Sequence, residues 1–289
     1  MSSIKPAISL RGITISILIL KVVLVAYLAI FIFPNLNLSG LEIGSDFLLF
    51  ALIGFVAQLI DGALGMAYGV SCSSLLLYSG VPPKVASAAV HIAEIFTTGI
   101  SGLSHIRMKN IDQNLFLKIA IPGSIGAAIG AFLISKMING DFIKPFIAAY
   151  LLILGILILI KGIRNRTVQS RPVKRARLLA FFGGLLDAIG GGGWGPIVTS
   201  NIIKTGKCHK QTIGTVNTAE FFVAFFGTAI FVFFIELNCW SVILGLIVGG
   251  VAAAPLGAYL VNKTSKKTMM IAVGLAIIIT SLISISKFL

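Results

Sequence analysis

The segment that decides how this chain folds reads Asp187-Ala188-Ile189-Gly190-Gly191-Gly192-Gly193-Trp194-Gly195-Pro196. It combines a carboxylate, four consecutive glycines and a Gly-Pro break. The apolar runs on either side are too short to cross a bilayer alone. In hydrocarbon, an open backbone and a charge are both costly unless they face protein or a water-filled cavity. The segment therefore predicts a functional site inside membrane-embedded protein.

The composition defines the class of protein. Of 289 residues, 57% are hydrophobic and 11% are charged, against roughly 25% charged in soluble domains, which indicates a polytopic α-helical membrane protein. The net charge of +14 does not indicate nucleic acid, because the Lys and Arg residues lie in loops between apolar spans. No catalytic serine elbow, P-loop or zinc-ligand spacing occurs. We therefore predict no enzyme, no cofactor and no resident metal.

A second copy of the segment lies 126 residues upstream, at Asp61-Gly62-Ala63-Leu64-Gly65-Met66-Ala67-Tyr68-Gly69. Residues 61–96 align with 187–222 without a gap, and ten of the 36 positions are identical. Both anchor carboxylates recur, as Asp61/Asp187 and Glu94/Glu220. A constant offset of this kind predicts an internal repeat.

The order of apolar segments repeats as well. After a first span at 13–33, in which Lys21 is expected to snorkel to the near interface, each half has two short apolar pieces and then three spans. In the first half these lie at 46–60, 66–79, 86–105, 115–135 and 142–160; in the second half they lie at 177–189, 197–205, 212–235, 240–261 and 269–285. We therefore divide the chain into an N-terminal helix with its loop (1–45), a first repeat (46–162), a basic cytoplasmic linker (163–176) and a second repeat (177–289).

Parity and charge predict the topology. Each repeat crosses an odd number of times whether its short pieces cross or re-enter, so the second copy is inverted. We prefer a re-entrant hairpin, because both short pieces fall below the length of a span. The excess of Lys and Arg on one side places the N-terminus in the cytoplasm and the C-terminus outside. The predicted fold is an all-α polytopic membrane protein with two inverted-topology repeats, each a re-entrant or broken helical hairpin plus three transmembrane helices, and one extra N-terminal helix.

Four acidic residues lie within apolar segments, and such residues are functional candidates by default. Asp61 and Asp187 precede the Gly-rich turns, so they either cap a broken helix or act chemically, and the two roles are compatible. Glu94 and Glu220 have no break to cap and are candidate proton carriers. His91 shares a helical face with Glu94, and packing and function remain open for it. The predicted proton-coupling residues are Asp61, His91, Glu94, Asp187 and Glu220.

The Gly-rich turns are predicted to bind substrate. Glycines leave backbone amides open to a ligand, and a helix that starts after such a break points its positive dipole end into the site. The alternative is that small residues only allow close helix packing. The predicted substrate-binding residues are Gly65, Tyr68, Gly69, Ser73, Ser74, Gly190, Gly191, Gly192, Gly193, Trp194, Ser200 and Asn217.

Several of these motifs together resemble a known family. Gly80-Val81-Pro82-Pro83-Lys84, Asn110-Ile111-Asp112 and the 190–196 segment are similar to the sulfite exporter TauE/SafE family, also called the 4-toluene sulfonate uptake permease family, over about residues 46–285. The resemblance implies a secondary transporter of a prokaryotic plasma membrane that moves sulfur-containing anions such as sulfite or organosulfonates. Asp61 and Asp187 depart from the family pattern, which has a small residue at both positions, so the substrate stays open.

We therefore predict a secondary active permease for small sulfur-containing anions, coupled to protons or Na⁺, with alternating access around a midplane site between the inverted repeats. It is embedded in the lipid bilayer, and a homodimer is a candidate assembly. One alternative is a divalent cation carrier that uses the four carboxylates. Another is an intramembrane enzyme, although the duplicated acids suit alternating access better than a single catalytic site.

Overall fold

The computed structural model describes residues 8–27, 30, 45–164, 175–203, 209–235, 240–260 and 266–288. All regular elements in these ranges are helices: α1 (Leu10–Tyr27), α2 (Ser45–Leu64), α3 (Tyr68–Tyr78), α4 (Pro83–Arg107), α5 (Gln113–Phe132), α6 (Gly140–Ile163), α7 (Ala176–Gly190), α8 (Ser200–Ile203), α9 (His209–Phe234), α10 (Trp240–Leu260) and α11 (Lys266–Phe288). A π-helical turn, Leu133–Met137, extends α5, and a second one, Gly195–Thr199, leads into α8. The predicted all-α class is confirmed.

Within the described ranges, five helical segments are long and apolar enough to cross a membrane: Leu10–Tyr27, Gln113–Met137, Phe142–Ile163, Lys210–Phe234 and Trp240–Gly257. Phe47–Gly62 and Met270–Ser286 are shorter apolar helices. The chain is therefore a multi-pass membrane protein. The end of the predicted first span and the centre of the predicted basic linker lie outside the described residues.

Helix α4 is the most polar of the long helices, and its polar side chains are buried in the bundle. His91, Glu94 and Ser101 are each at most 1% exposed. The helix packs against α9 in the opposite direction, because His91 lies beside Gly227 whereas Asn110 lies beside Gly214. The crossing of α4 and α9 therefore forms a polar centre that lipid does not reach.

Small residues let the outer helices pack at backbone distance. Helix α2 packs along α10, where Gly249 lies against Ala51 and Gly257 against Gly62. Helix α5 packs along α7 in the same manner, with Gly126 against Phe181, and α6 packs along α11. These contacts place the ends of α2 and α7 at the centre of the bundle.

Both predicted short segments are broken helices. The first break, residues 65–67, separates α2 from α3 and is called the first tip; the second, residues 191–194, separates α7 from the π-helical turn before α8 and is called the second tip. Gly65 and Gly191 occupy equivalent positions and both adopt left-handed φ values, +67° and +66°, a conformation that favours glycine. Near the start of α3, Gly69 lies beside Glu94. Further along α3, Ser73 contacts Gly191, which lies against the start of α4. Helix α3 therefore runs back along α4.

Two expectations from the sequence are wrong, one about the first short piece and one about Lys21 on α1. The first short piece was expected to end at residue 60, but α2 continues to Leu64 and has 20 residues, because Asp61 is buried in protein and does not need to end the helix. Lys21 does not snorkel along the lipid edge. Its amine donates to the carbonyl of Phe96 at 3.4 Å, in the space that Gly99 leaves open on α4.

Candidate functional site

The two broken helices hold each other by reciprocal hydrogen bonds. The Ser73 hydroxyl on α3 donates to the carbonyl of Gly191 in the second tip. The Thr199 hydroxyl, at the end of the π-helical turn, donates to the carbonyl of Gly65 in the first tip at 2.6 Å. Donors and acceptors are both related by the 126-residue offset of the repeat, so the two copies make the same contact in opposite directions.

Close packing explains the four consecutive glycines. A side chain at Gly192 would overlap the backbone of α3 at Val70, and one at Gly191 would overlap Ser73. Gly190 and Gly193 both lie against the ring of Tyr150 on α6. These positions therefore require the smallest residue, in addition to any binding role of their amides.

Asp187 caps the second tip. Its Oδ1 accepts a hydrogen bond from the backbone N–H of Trp194 at 3.0 Å, which satisfies one of the amides released by the break. Asp61 occupies the equivalent place beside the Tyr68 amide, but neither of its carboxylate oxygens reaches a hydrogen-bond partner among the described residues. Capping therefore accounts for one oxygen of Asp187 and leaves the other free.

The two aromatic residues of the tips anchor them to the surrounding helices. The Trp194 indole N–H donates to the carbonyl of Val216 at 3.3 Å, and the Tyr68 hydroxyl donates to the carbonyl of Leu246 at 3.4 Å. Both side chains are at most 1% exposed. Their polar ends face α9 and α10, so in this conformation both fix the tips in the bundle.

The five predicted proton-coupling residues converge at the same centre. One ligand atom each from His91, Glu94 and Asp187 lies within 4.8 Å of the others, and His91 Nε2 lies 3.4 Å from Asp187 Oδ2. Glu220 on α9 interacts electrostatically with Asp61, Glu94 and Asp187. The four acids are at most 5% exposed, so all four lie inside the bundle.

The predicted polar substrate-binding side chains differ in how many of their hydrogen-bonding atoms have partners. Asn217, the counterpart of His91, donates to the Ser101 hydroxyl at 3.3 Å, whereas its Oδ1 has no partner in the described part of the chain. The Ser74 hydroxyl is also unpaired there, and Ser200 reaches only the sulfur of Met66, at 3.8 Å. Ser74 and Asn217 therefore hold unused hydrogen-bonding capacity beside the tips.

Sequence reasoning missed three residues near this site, of which Ser87 and Gln58 are buried and Tyr150 is partly buried. Tyr150 packs on the second tip, and the Ser87 hydroxyl donates to the carbonyl of Ala188 at 2.6 Å. Gln58 is fully buried one turn before Asp61, and neither of its amide atoms has a partner within the described ranges. Its spacing to Asp61 within an apolar segment was a signal that could have identified it.

A multi-pass helical protein in which two broken helices meet beside buried acids has the architecture of a membrane transporter. The family described as Sulfite exporter TauE/SafE matches residues 50–283. The chain belongs to this family, and the predicted resemblance is confirmed.

Curated relatives agree with this class. The chain is 42% identical over 244 residues to a Bacillus subtilis (strain 168) protein described as probable membrane transporter protein YtnM, with 81% of each chain covered. It is 26% identical over 100 residues, 35% of this chain and 21% of the relative, to Sulfite exporter TauE/SafE family protein 3 of Arabidopsis thaliana. No solved structure shows significant similarity to the chain. These relatives place the chain among membrane transporters and not among enzymes.

Proposed function

We propose that this protein is a secondary active transporter that carries a small sulfur-containing oxyanion, such as sulfite or an organosulfonate, across a prokaryotic plasma membrane. Its site lies at the centre of the bundle, between two inverted repeats that alternate access by rocking. One observation carries the proposal: the two broken helices meet tip to tip beside four buried carboxylates, in a chain of a sulfite exporter family. The substrate class rests on that family description.

The helix contacts support the inverted repeats. Under the offset, α2–α6 correspond in order to α7–α11, so the contact of α2 with α10 has its counterpart in α7 with α5, and that of α4 with α10 in α9 with α5. Helices α4 and α6 each pack on their own counterparts, α9 and α11. A two-fold axis in the membrane plane makes such self-pairs antiparallel, as found for α4 and α9. The distribution of basic residues supports a cytoplasmic N-terminus and an external C-terminus.

The tips supply donors for an anion. Helix α3 begins directly after the first tip at Tyr68, so its positive dipole end lies at the centre of the bundle. The hydroxyls of Ser73 and Thr199 are engaged by the opposite tip in the closed arrangement. Separation of the tips frees both hydroxyls, and the unused groups of Ser74 and Asn217 lie nearby. Substrate binding and opening of the tips are thereby linked.

Proton coupling is assigned to Glu220 with Asp61. Neither oxygen of Asp61 has a hydrogen-bond partner among the described residues, and two interacting carboxylates cannot both remain charged in a buried site without a counter-ion. A proton held by this pair would lower the charge that an incoming anion meets. Transport of the anion together with a proton follows from this charge balance.

The test uses the full chain in proteoliposomes with sulfite and an imposed pH gradient. Glu220→Gln is expected to abolish gradient-driven sulfite flux while sulfite binding by the purified protein persists. The matched control is Glu236→Gln, a glutamate between α9 and α10 in the sequence. Unchanged coupled flux in Glu220→Gln would remove this residue from the mechanism. Wild-type vesicles that move no sulfur oxyanion under a pH gradient of either direction would overturn the substrate class.

A divalent cation as cargo is a second candidate, because His91, Glu94 and Asp187 form a cluster of possible metal ligands. The same vesicles discriminate between the two functions. Net accumulation of Zn²⁺ or Mn²⁺ without sulfite would favour cation transport, whereas sulfite flux without metal accumulation favours the anion.

A further inference from the structure

We propose that His91, Glu94 and Asp187 form a site for one divalent transition-metal cation of the Zn²⁺ type, held in the protein beside the transport path. The three residues come from two elements: His91 and Glu94 lie three positions apart on one face of α4, and Asp187 lies near the end of α7. One nitrogen and two carboxylate oxygens are a common ligand set for such a cation.

The distances fit coordination. Two ligands bound to Zn²⁺ at about 2.0–2.2 Å in tetrahedral geometry lie about 3.3–3.5 Å apart. His91 Nε2 and Asp187 Oδ2 are 3.4 Å apart. The remaining separations in the cluster do not exceed 4.8 Å, so the flexible carboxylate of Glu94 has to move by no more than about 1.5 Å to complete three ligands.

The surroundings orient the histidine as a ligand. His91 Nδ1 lies 3.0 Å from the carbonyl of Ser87, and because a carbonyl only accepts, Nδ1 carries a hydrogen. In the neutral ring, Nε2 is then the nitrogen that is available to a cation. Metal-ligating histidines typically donate their second nitrogen in this manner. The ring of Phe231 packs edge-on against the imidazole, with centroids 5.4 Å apart.

The inner atoms of the cluster have nothing else to bind. His91 Nε2, Glu94 Oε2 and Asp187 Oδ2 are buried and have no hydrogen-bond partner in the described part of the chain, although Oδ1 of Asp187 is occupied by the Trp194 amide. Buried groups left unpaired in this way are costly. A divalent cation satisfies all three at once and balances the two carboxylate charges.

The site exists in only one half of the molecule. Position 217 carries Asn where the first repeat has His91, and its amide already donates to Ser101. Asp61 and Glu220 therefore lack the nitrogen ligand, so we expect one cation per chain. Three protein ligands leave one tetrahedral position open, which an oxygen of the substrate anion could occupy; this last step rests on the proposed function.

The test measures metal binding by the purified full chain in detergent after removal of metal with a chelator. Titration with Zn²⁺ and with Co²⁺ is expected to give one equivalent per chain, a visible absorption band of tetrahedral Co²⁺ and a higher thermal unfolding midpoint. His91→Asn, which copies the second repeat, is expected to weaken binding at least tenfold. Asp187→Asn keeps the oxygen that caps Trp194, so its loss of metal would not reflect loss of the cap. Glu236→Gln is the control and is expected to bind like the wild type.

Binding with wild-type affinity by His91→Asn would overturn the inference, as would a cooperatively folded wild type that binds no stoichiometric metal. The outcome is separable from that of the proposed function. Sulfite flux that depends on Glu220 without any metal binding would overturn the metal site and keep the transporter proposal. Stoichiometric metal binding without oxyanion flux would keep the site and overturn the substrate.

Discussion

Replacing Thr199 with valine removes one of the two hydrogen bonds that join the tips, and replacing Ser73 with alanine removes the other. Hydrogen bonds between helices inside a membrane contribute about 0.6 kcal/mol on average and about 1.7 kcal/mol at most. If opening of the site breaks both bonds, each substitution lowers the opening free energy by that amount. The population of the open form should then rise roughly 3- to 20-fold for each change.

The native thiol of Cys72 can report this opening, because it is fully buried and lies beside Ser73 on α3. We expect its modification rate by a membrane-permeant thiol reagent to rise 3- to 20-fold in Thr199→Val, in a background in which Cys208 and Cys239 are replaced by alanine. The matched control is Thr280→Val, since that hydroxyl bonds only within α11.

The symmetry of the two bonds sharpens this prediction. Ser73→Ala should have an effect of similar size, and the double variant should multiply the two factors if the tips separate as a unit. An unchanged Cys72 rate in a folded Thr199→Val protein would show that access does not require the tips to part, and the rocking mechanism would have to be abandoned.

Two further predictions concern the second tip. Asp187→Asn retains an acceptor for the Trp194 amide, so its free energy of unfolding should lie within about 0.5 kcal/mol of the wild-type value. Asp187→Ala loses the cap, so its free energy of unfolding should be about 1 kcal/mol lower. Equal stability of the two variants in denaturant unfolding would contradict the capping role. Gly192→Ala should lower stability by about 1–3 kcal/mol or prevent folding, because its Cβ overlaps the backbone of Val70. Gly12→Ala on α1 should be tolerated, because its Cβ would meet only side-chain atoms of Ile8 and Ser9, at 3.3 Å or more.

Much of this architecture could be predicted because the internal duplication is still detectable in the sequence. A gap-free offset connects Asp61 to Asp187 and Gly65 to Gly191, and the structure uses the same offset for the reciprocal bonds of Ser73. The apolar spans were equally predictable, since length and hydropathy determine them. A break near Gly65 followed from local chemistry and needed no knowledge of the partner helices, although α2 ends at Leu64 and not at residue 60.

The unpredicted features depend on contacts between distant segments. Tyr150 fills the space left by Gly190 and Gly193, yet in the sequence it is an ordinary aromatic residue of an apolar span. Lys21 was expected at the lipid edge, but the gap above Gly99 on another helix determines its direction. The spacing between residues 91 and 187 gives no sign that the two side chains meet, because helix packing alone brings α7 to α4.

Duplication also explains how one site can serve two purposes. The internal repeat gives both halves carboxylates at equivalent positions. Chemical differences between the halves must therefore come from the positions at which the two copies diverged. The clearest divergence at the centre is His91 against Asn217: one places a ring nitrogen 3.4 Å from a carboxylate oxygen of Asp187, and the other offers an amide that is bonded to Ser101. A divalent cation in the histidine half and one proton in the asparagine half would together offset three of the four acid charges. An oxyanion could then enter a centre that would otherwise repel it.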